Sequence, residues 1–364
     1  MGTATGNEDF LLGLLQAMAE LAAEPLYPAP FAQARGLDRE KLDRGLDELR
    51  RLGLVRFTDW VKDLGQGCTL TDAGRQALTS KRLSKAVALE PPTELTGLSD
   101  LERGDLVRRA IFLPQPPVVA RVLLIANLLY FAFGAAYAVQ HDLELNEYLL
   151  GEGATTTAVL KALGALRPSL VFPDQRVLDN RPQYERIVLA CFLHIGLLHL
   201  FMNMYFLGSF APHIEGMWGH ARFLAIYLVS GIVSGCVVLL LAQSDHRPGG
   251  EGPITAGASG CLFGIFVAML VWFWFNYTYL PDGLVQAWKR NTVINVVLLL
   301  AINFFPGISW QGHFGGAVGG LLAGLFLHAN RFHPSPIVRW LALGGVAAIP
   351  LGFFVAVLWQ AGRL

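Results

Sequence analysis

Polar and apolar positions are distributed differently in the two parts of this chain. Up to about Arg109, apolar residues recur at amphipathic spacing between charged ones. From about Pro117 they merge into runs long enough to cross a hydrocarbon core, which takes roughly 20 helical residues. The runs cover about Val118–Gln140, Arg186–Phe210, Phe223–Gln243, Ala258–Tyr277, Val293–Phe305, Gly312–Ala329 and Ile337–Gln360. They predict seven transmembrane helices, the fifth of them short. His141–Tyr184 is polar and carries Pro168, Pro173 and Pro182, so a long loop is expected there. Its part-apolar stretch, Thr155–Phe172, suits a short helix lying in the membrane interface.

In the N-terminal part, Leu11–Leu21 is apolar at helical spacing and a short segment, Phe31–Arg35, follows. Asp38 is placed to cap the next helix. That helix sets Leu42, Leu46 and Leu49 on one face and charge on the other. A hairpin from Leu54–Val61 to Gly67–Thr71 and a helix capped near Thr71-Asp72 complete the series. Helix, helix-turn-helix, hairpin and helix in this order look like a small α+β winged-helix domain over residues 1–80. A linker with a Pro-Pro stop is expected over 81–116, an all-α polytopic membrane core over 117–330, and an additional C-terminal transmembrane helix over 331–364.

Composition agrees with this division. The chain is 53% hydrophobic and 15% charged, where soluble domains carry about 25% charged residues. Formal net charge is zero, so no global basic field attracts nucleic acid. Met1–Arg109 holds 15 Lys/Arg against 17 Asp/Glu, whereas DNA readers usually carry a basic face. The would-be recognition helix mixes Arg39, Lys41, Arg44, Arg50 and Arg51 with Glu40, Asp43, Asp47 and Glu48, which predicts an ordinary solvated face. A regulatory or protein-binding module is the expectation for this domain, and nucleic acid is not an expected partner. Cys68, Cys191, Cys236 and Cys261 are scattered without CxxC spacing, so no metal site or cofactor is expected.

Sidedness follows from the short loops. Glu8 and Asp9 precede the first apolar stretch, unlike a signal peptide, which places the N-terminus in the cytoplasm. The inner loops then hold Arg222, Lys289, Arg290, Arg331 and Arg339, the short outer loops only Arg247, and the C-terminal tail Arg363. Seven crossings put the C-terminus outside the cell membrane.

Polar groups inside apolar helices are costly enough to be functional candidates. Three clusters qualify. CFLHIGLLHLFMNM sets His199 and Asn203 four apart on one helix face, with His194 five before His199. ITAGASGCLFG places Ser259 at a loop-to-helix junction between Gly257 and Gly260. WQGHFGGAVGGLLAGL carries His313 near the outer end of its helix, with Gly316 and Gly320 following at helical spacing. Each cluster alone has an ordinary explanation in helix packing. Together they place a serine and a histidine at matching depth, with glycines that let the two helices touch at Gly260 and Gly264.

Such a pair makes a nucleophile and a base. Ser259 would attack a carbonyl and His313 would take its proton and pass it to the leaving amine. The free N–H groups of the helix start, with His199 and Asn203, would hold the oxyanion. No Asp is placed to orient His313, so a dyad is expected rather than a triad. Phe263, one turn after Ser259, is placed to fix the imidazole by packing.

H-x4-H-x3-N, GxSG and GH-x2-G-x3-G, in this order over about Val118–Ala329, resemble the rhomboid intramembrane proteases. The resemblance implies a six-helix core, Ser259 as nucleophile, His313 as base, and His199 and Asn203 as oxyanion contributors. It adds His194 as a further family histidine and Glu215, Gly219 and Arg222-Phe223 as a structural tie at the inner face. Its implied substrates are single-pass or polytopic membrane proteins, cut near the outer face of the lipid bilayer in segments with small, helix-breaking residues. Arg186 aligns with an arginine that follows a tryptophan in the family, and Glu185 stands in the tryptophan's place. The seventh helix and the N-terminal domain are not standard family components. A non-proteolytic binder of transmembrane clients would lack the serine or histidine; a transporter would show inverted repeats; a metalloprotease would need HExxH. None of these marks is found.

Overall fold

The computed structural model describes residues 3–21, 24–61, 64–80, 83, 100–112, 114–172, 181–242, 254–305 and 307–362. Arg247, Arg363, Pro173 and most of the expected linker (81–82 and 84–99) lie outside that set. The chain divides into two compact units, the first holding residues up to Phe112 with Thr278–Asp282 and Phe332–Pro336, the second holding the remainder.

In the first unit, α1 (Thr3–Glu20), α2 (Pro28–Arg35) and α3 (Arg39–Arg51) precede a hairpin of β1 (Val55–Val61) and β2 (Gly65–Leu70), then α4 (Asp72–Ser80). Asp38 caps α3 as its position predicts, accepting from the Lys41 N–H at 2.7 Å. The strands pair antiparallel from Val55–Leu70 to Val61–Gly65, and Leu26 adds a single bridge to Cys68. Leu42, Leu46 and Leu49 of α3 pack with Leu11, Leu14 and Leu15 of α1 in one core.

The polar face of α3 differs from expectation. Asp43 and Asp47 are buried rather than solvated. The cause is a helix, α5 (Asp100–Phe112), in the second half of the stretch read as a linker. Arg39 bonds both Asp43 (2.9 and 2.8 Å) and Asp105 of α5 (3.2 Å), and Phe112 stacks on Trp60 of β1 at 5.2 Å. Helix α5 thus lies on α3 and the hairpin, hiding carboxylates that the sequence pattern assigns to water.

The second unit opens with α6 (Val119–Gln140). Buried Glu215 accepts the N–H groups of Val118, Val119 and Ala120 at 3.0, 2.9 and 2.8 Å. A carboxylate on free N–H groups at the positive end of a helix fixes where α6 begins. The long loop contains α7 (Leu145–Leu150), α8 (Gly153–Leu163) and α9 (Pro168–Val171). Tyr148 is fully buried against Gly134 of α6, and its hydroxyl donates to the Phe131 carbonyl at 3.2 Å.

The second apolar run is not one helix. It is α10 (Arg186–Leu189) with a 3-10 turn (Ala190–Phe192), then α11 (Gly196–Ser209), bent by 87°. Gly196 (φ +77°) and Gly151 (φ +79°) sit so close that a Cβ on Gly196 would collide with the Gly151 backbone and one on Gly151 with the Ile195 carbonyl. Arg186, with Glu185 beside it, donates to the Lys161 and Ala165 carbonyls at 2.9 and 3.0 Å, anchoring the long loop to α10.

Next come α12 (Ala211–Trp218), α13 (His220–Ala242), α14 (Ser259–Asn276), α15 (Asp282–Ala301), α16 (Trp310–Phe332) and α17 (Pro336–Gln360). Among the described residues, five helices are long and apolar enough to cross a membrane, or six if the bent pair is one span. Seven were expected, and α15 is the one that falls short of this apolarity. Lys289 and Arg290 sit in its middle, leaving only Val293–Ala301 and a 3-10 turn (Ile302–Phe304) as its apolar part. The protein is a multi-pass membrane protein. Over half of α13, α14 and α16 is buried, against 28% of α6 and 22% of α17, so the first three form the centre and the other two the rim.

Candidate active site

The centre is built from residues without side chains. A Cβ on Gly316 would overlap the Gly260 carbonyl, and one on Gly320 would overlap the Gly264 carbonyl. On α13, Ser230 and Ser234 fill the space that side chains on Gly264 and Gly260 would need. Helices α14 and α16 therefore approach to backbone contact, as small residues permit in membrane helix pairs.

That approach sets the serine against the histidine. Ser259 is the first residue of α14, and His313 lies in the first turn of α16. Ser259 Oγ and His313 Nε2 are 2.8 Å apart, a hydrogen-bond distance. Phe263 lies parallel to the imidazole, with ring centroids 4.1 Å apart and planes 10° apart. His313 is 6% exposed and Ser259 is half-buried, so the imidazole is the more shielded of the two.

Backbone bonds hold the approach to Ser259. Leu166 and Thr255 exchange two N–H···O bonds of 2.9 Å, pairing the long loop with the segment before the serine. Gly257 N–H then donates to the Ala190 carbonyl at 2.9 Å. Gly257 has φ +133°, and a Cβ there would lie 2.7 Å from His199 Cε1, 2.9 Å from Nε2 and 3.7 Å from Ser259 Oγ. The edge of His199 and the serine hydroxyl thus flank one glycine.

His199 Nδ1 accepts from the Ile195 N–H at 3.3 Å, so in the neutral ring the proton sits on Nε2, the atom beside Gly257. Asn203 is buried one turn on; its Nδ2 donates to the His199 carbonyl at 2.9 Å, leaving one amide hydrogen for another acceptor. His194 is fully buried at the bend of the second run, its ring edge-on to His199 at 5.3 Å. Ser259, His313, Phe263, Gly257 and His199 are brought together; Asn203 bonds within its own helix and His194 stands behind His199.

One residue escaped the sequence pattern. Asn303, in the 3-10 turn after α15, places Oδ1 2.7 Å from His313 Nδ1. Its only sequence signal was a lone amide at the end of the fifth apolar run.

Residues 181–330 match the family model described as the rhomboid domain. Over that stretch the chain is similar to the rhomboid family. The rhomboid domain contains every residue of the site except the loop partner Leu166. RHOMBOID-like protein 5 of Arabidopsis thaliana is 33% identical over 179 residues, covering 49% of this chain and 52% of that protein. Rhomboid protease GluP of Bacillus subtilis is 31% identical over 176 residues, 47% of this chain and 30% of that protein. RHOMBOID-like protein 6, mitochondrial, of Arabidopsis thaliana is 30% identical over 173 residues, 47% of this chain and 49% of that protein. The chain thus spans about half, or less, of the length of these rhomboid relatives.

Proposed function

We propose that this protein is an intramembrane serine endopeptidase that cleaves transmembrane segments of other membrane proteins. The observation that carries the assignment is the 2.8 Å approach of Ser259 Oγ to His313 Nε2 at the half-buried start of an apolar helix. Ser259 attacks the scissile carbonyl as His313 takes its proton; the imidazolium then protonates the leaving amine, and water repeats the sequence on the acyl-enzyme. The Ser259 N–H, the His199 Nε2–H and the Asn203 amide are the oxyanion donors, each worth about 2.7–4 kcal/mol in the transition state. Phe263 holds the imidazole in plane by stacking. The dyad works within the bilayer boundary, so its substrates are single-pass or polytopic membrane proteins.

The N-terminus is assigned to the cytoplasm and the dyad to the outer half of the plasma membrane, from the excess of Lys and Arg in the inner loops. The N-terminal domain, winged-helix-like in element order, is assigned a regulatory or protein-binding role. The protease assignment is tested by co-expressing a single-pass substrate with wild type and Ser259→Ala. Cleavage by wild type alone is expected; equal cleavage by both sinks it.

A further inference from the structure

We infer that Asn303 is a positioning residue for the base, fixing the tautomer of His313, so that the site works as Ser–His–Asn rather than as a bare pair. The inference rests on the proposed Ser259–His313 chemistry and deepens it.

A general base needs an unprotonated nitrogen facing the hydroxyl. Neutral imidazole carries one proton, and the partner of the other nitrogen decides which atom holds it. His313 Nε2 faces Ser259 Oγ at 2.8 Å, and Nδ1 faces Asn303 Oδ1 at 2.7 Å. An amide oxygen only accepts, so Nδ1 must donate and Nε2 is left with its lone pair toward the serine. The amide is itself oriented, because Asn303 Nδ2 donates to the Leu299 carbonyl at 2.7 Å. With NH2 held by a carbonyl one turn back, the oxygen is the atom presented to the histidine.

The surroundings support a role in orientation. Phe263 constrains the plane of the imidazole but makes no distinction between its two nitrogens. His199 of α11 is the other titratable side chain acting on His313, and it supplies no acceptor to Nδ1. Asn303 is therefore what selects the productive tautomer. Being neutral, it does so without the charge stabilisation of imidazolium that an aspartate brings. A histidine with an asparagine partner is an established arrangement in cysteine proteases of unrelated fold.

The test uses the full chain in detergent micelles or liposomes. Cleavage of a transmembrane peptide and labelling of the serine by a fluorophosphonate are followed against pH for wild type, Asn303→Ala, Asn303→Asp and Ser259→Ala. Asn303→Ala is expected to lower kcat and labelling at least about tenfold with KM little changed, since base catalysis contributes about 10²–10⁴-fold. Asn303→Asp is expected to recover most of that loss. Its carboxylate favours imidazolium, so the acidic limb of its kcat profile moves to higher pH.

Equal activity of Asn303→Ala and wild type overturns the inference while leaving the dyad standing. So does an Asp variant as impaired as Ala with an unmoved acidic limb, the mark of a merely structural role. Wild type no more active than Ser259→Ala overturns the dyad and this inference together. If the Ala variant fails to fold, 15N NMR of histidine-labelled wild type decides directly. A proton on Nδ1 of neutral His313 is expected, and one on Nε2 overturns the inference.

Discussion

Gly316 of α16 lies against the Gly260 carbonyl of α14 so closely that one added methyl group would overlap it. The contact sits next to Ser259 on α14 and about one turn beyond His313 on α16, so it sets the distance between them. Gly316→Ala is expected to force the helices apart, at the roughly 1–3 kcal/mol typical of overpacking. The midpoint of thermal unfolding in detergent should fall, and fluorophosphonate labelling of Ser259 should fall further than stability alone explains. Unchanged labelling would mean that the two helices meet elsewhere.

The serine and histidine should act as one unit. Ser259→Ala and His313→Ala are each expected to abolish cleavage to background, and the double variant should be no worse than either single one. Additive losses in a three-variant kinetic comparison would contradict a shared step.

His199 is expected to matter through its Nε2–H. His199→Ala should lower kcat by about 10²–10³-fold, the cost of one oxyanion donor, with a smaller change in KM. Single-turnover acylation rates are the deciding measurement. A loss confined to KM would assign the residue to substrate binding.

Glu215 supplies a pH-dependent contribution to stability. Burial alone would raise its carboxyl, but the N–H groups of Ala120, Val119 and Val118 and the His220 ring outweigh this and hold it below its ordinary value. A folded-state pKa below the unfolded one gives stability that is present above the unfolded value and lost as pH falls through the folded value. Glu215→Gln should therefore unfold earlier than wild type at neutral pH, by about 1.5–3 kcal/mol for bonds to a charged group. The gap should close in acid. A gap that is constant with pH would show that charge is not involved.

The covered face of α3 bears on nucleic acid. Asp43 and Asp47 are buried there beside Arg39, which is bound to Asp105 of α5. The full chain is expected to show no salt-sensitive, sequence-specific retention of duplex DNA; such retention would require α5 to leave that face.

Much of the site was legible in the sequence because its chemistry is carried by residues that apolar helices otherwise exclude. His199, Ser259 and His313 stand out for that reason, and the glycines around Ser259 and His313 announce a close helix pair. The stacking of Phe263 followed from its one-turn spacing. Asn303 was not found, because its partner lies on the next helix and the spacing of ten residues spans a turn of no fixed geometry. Nor was the bend at Gly196, where the cause is Gly151 in a loop distant in sequence. The fifth run is less apolar as a helix than as a run, because the helix containing it begins at Asp282 and carries two charges at its centre. Helix α5 was missed because its amphipathic pattern makes sense only against α3.

The bridge between Leu166 and Thr255 bears on where a working fragment would begin. The stretch matching the family model starts at residue 181, yet the lead-in to Ser259 is stitched to Leu166, and Arg186 is gripped by carbonyls at Lys161 and Ala165. A fragment cut at the matched boundary would keep every reactive side chain and lose the polypeptide against which they are aligned. A fragment with the proposed activity should therefore start at or before α8, upstream of the border drawn by kinship.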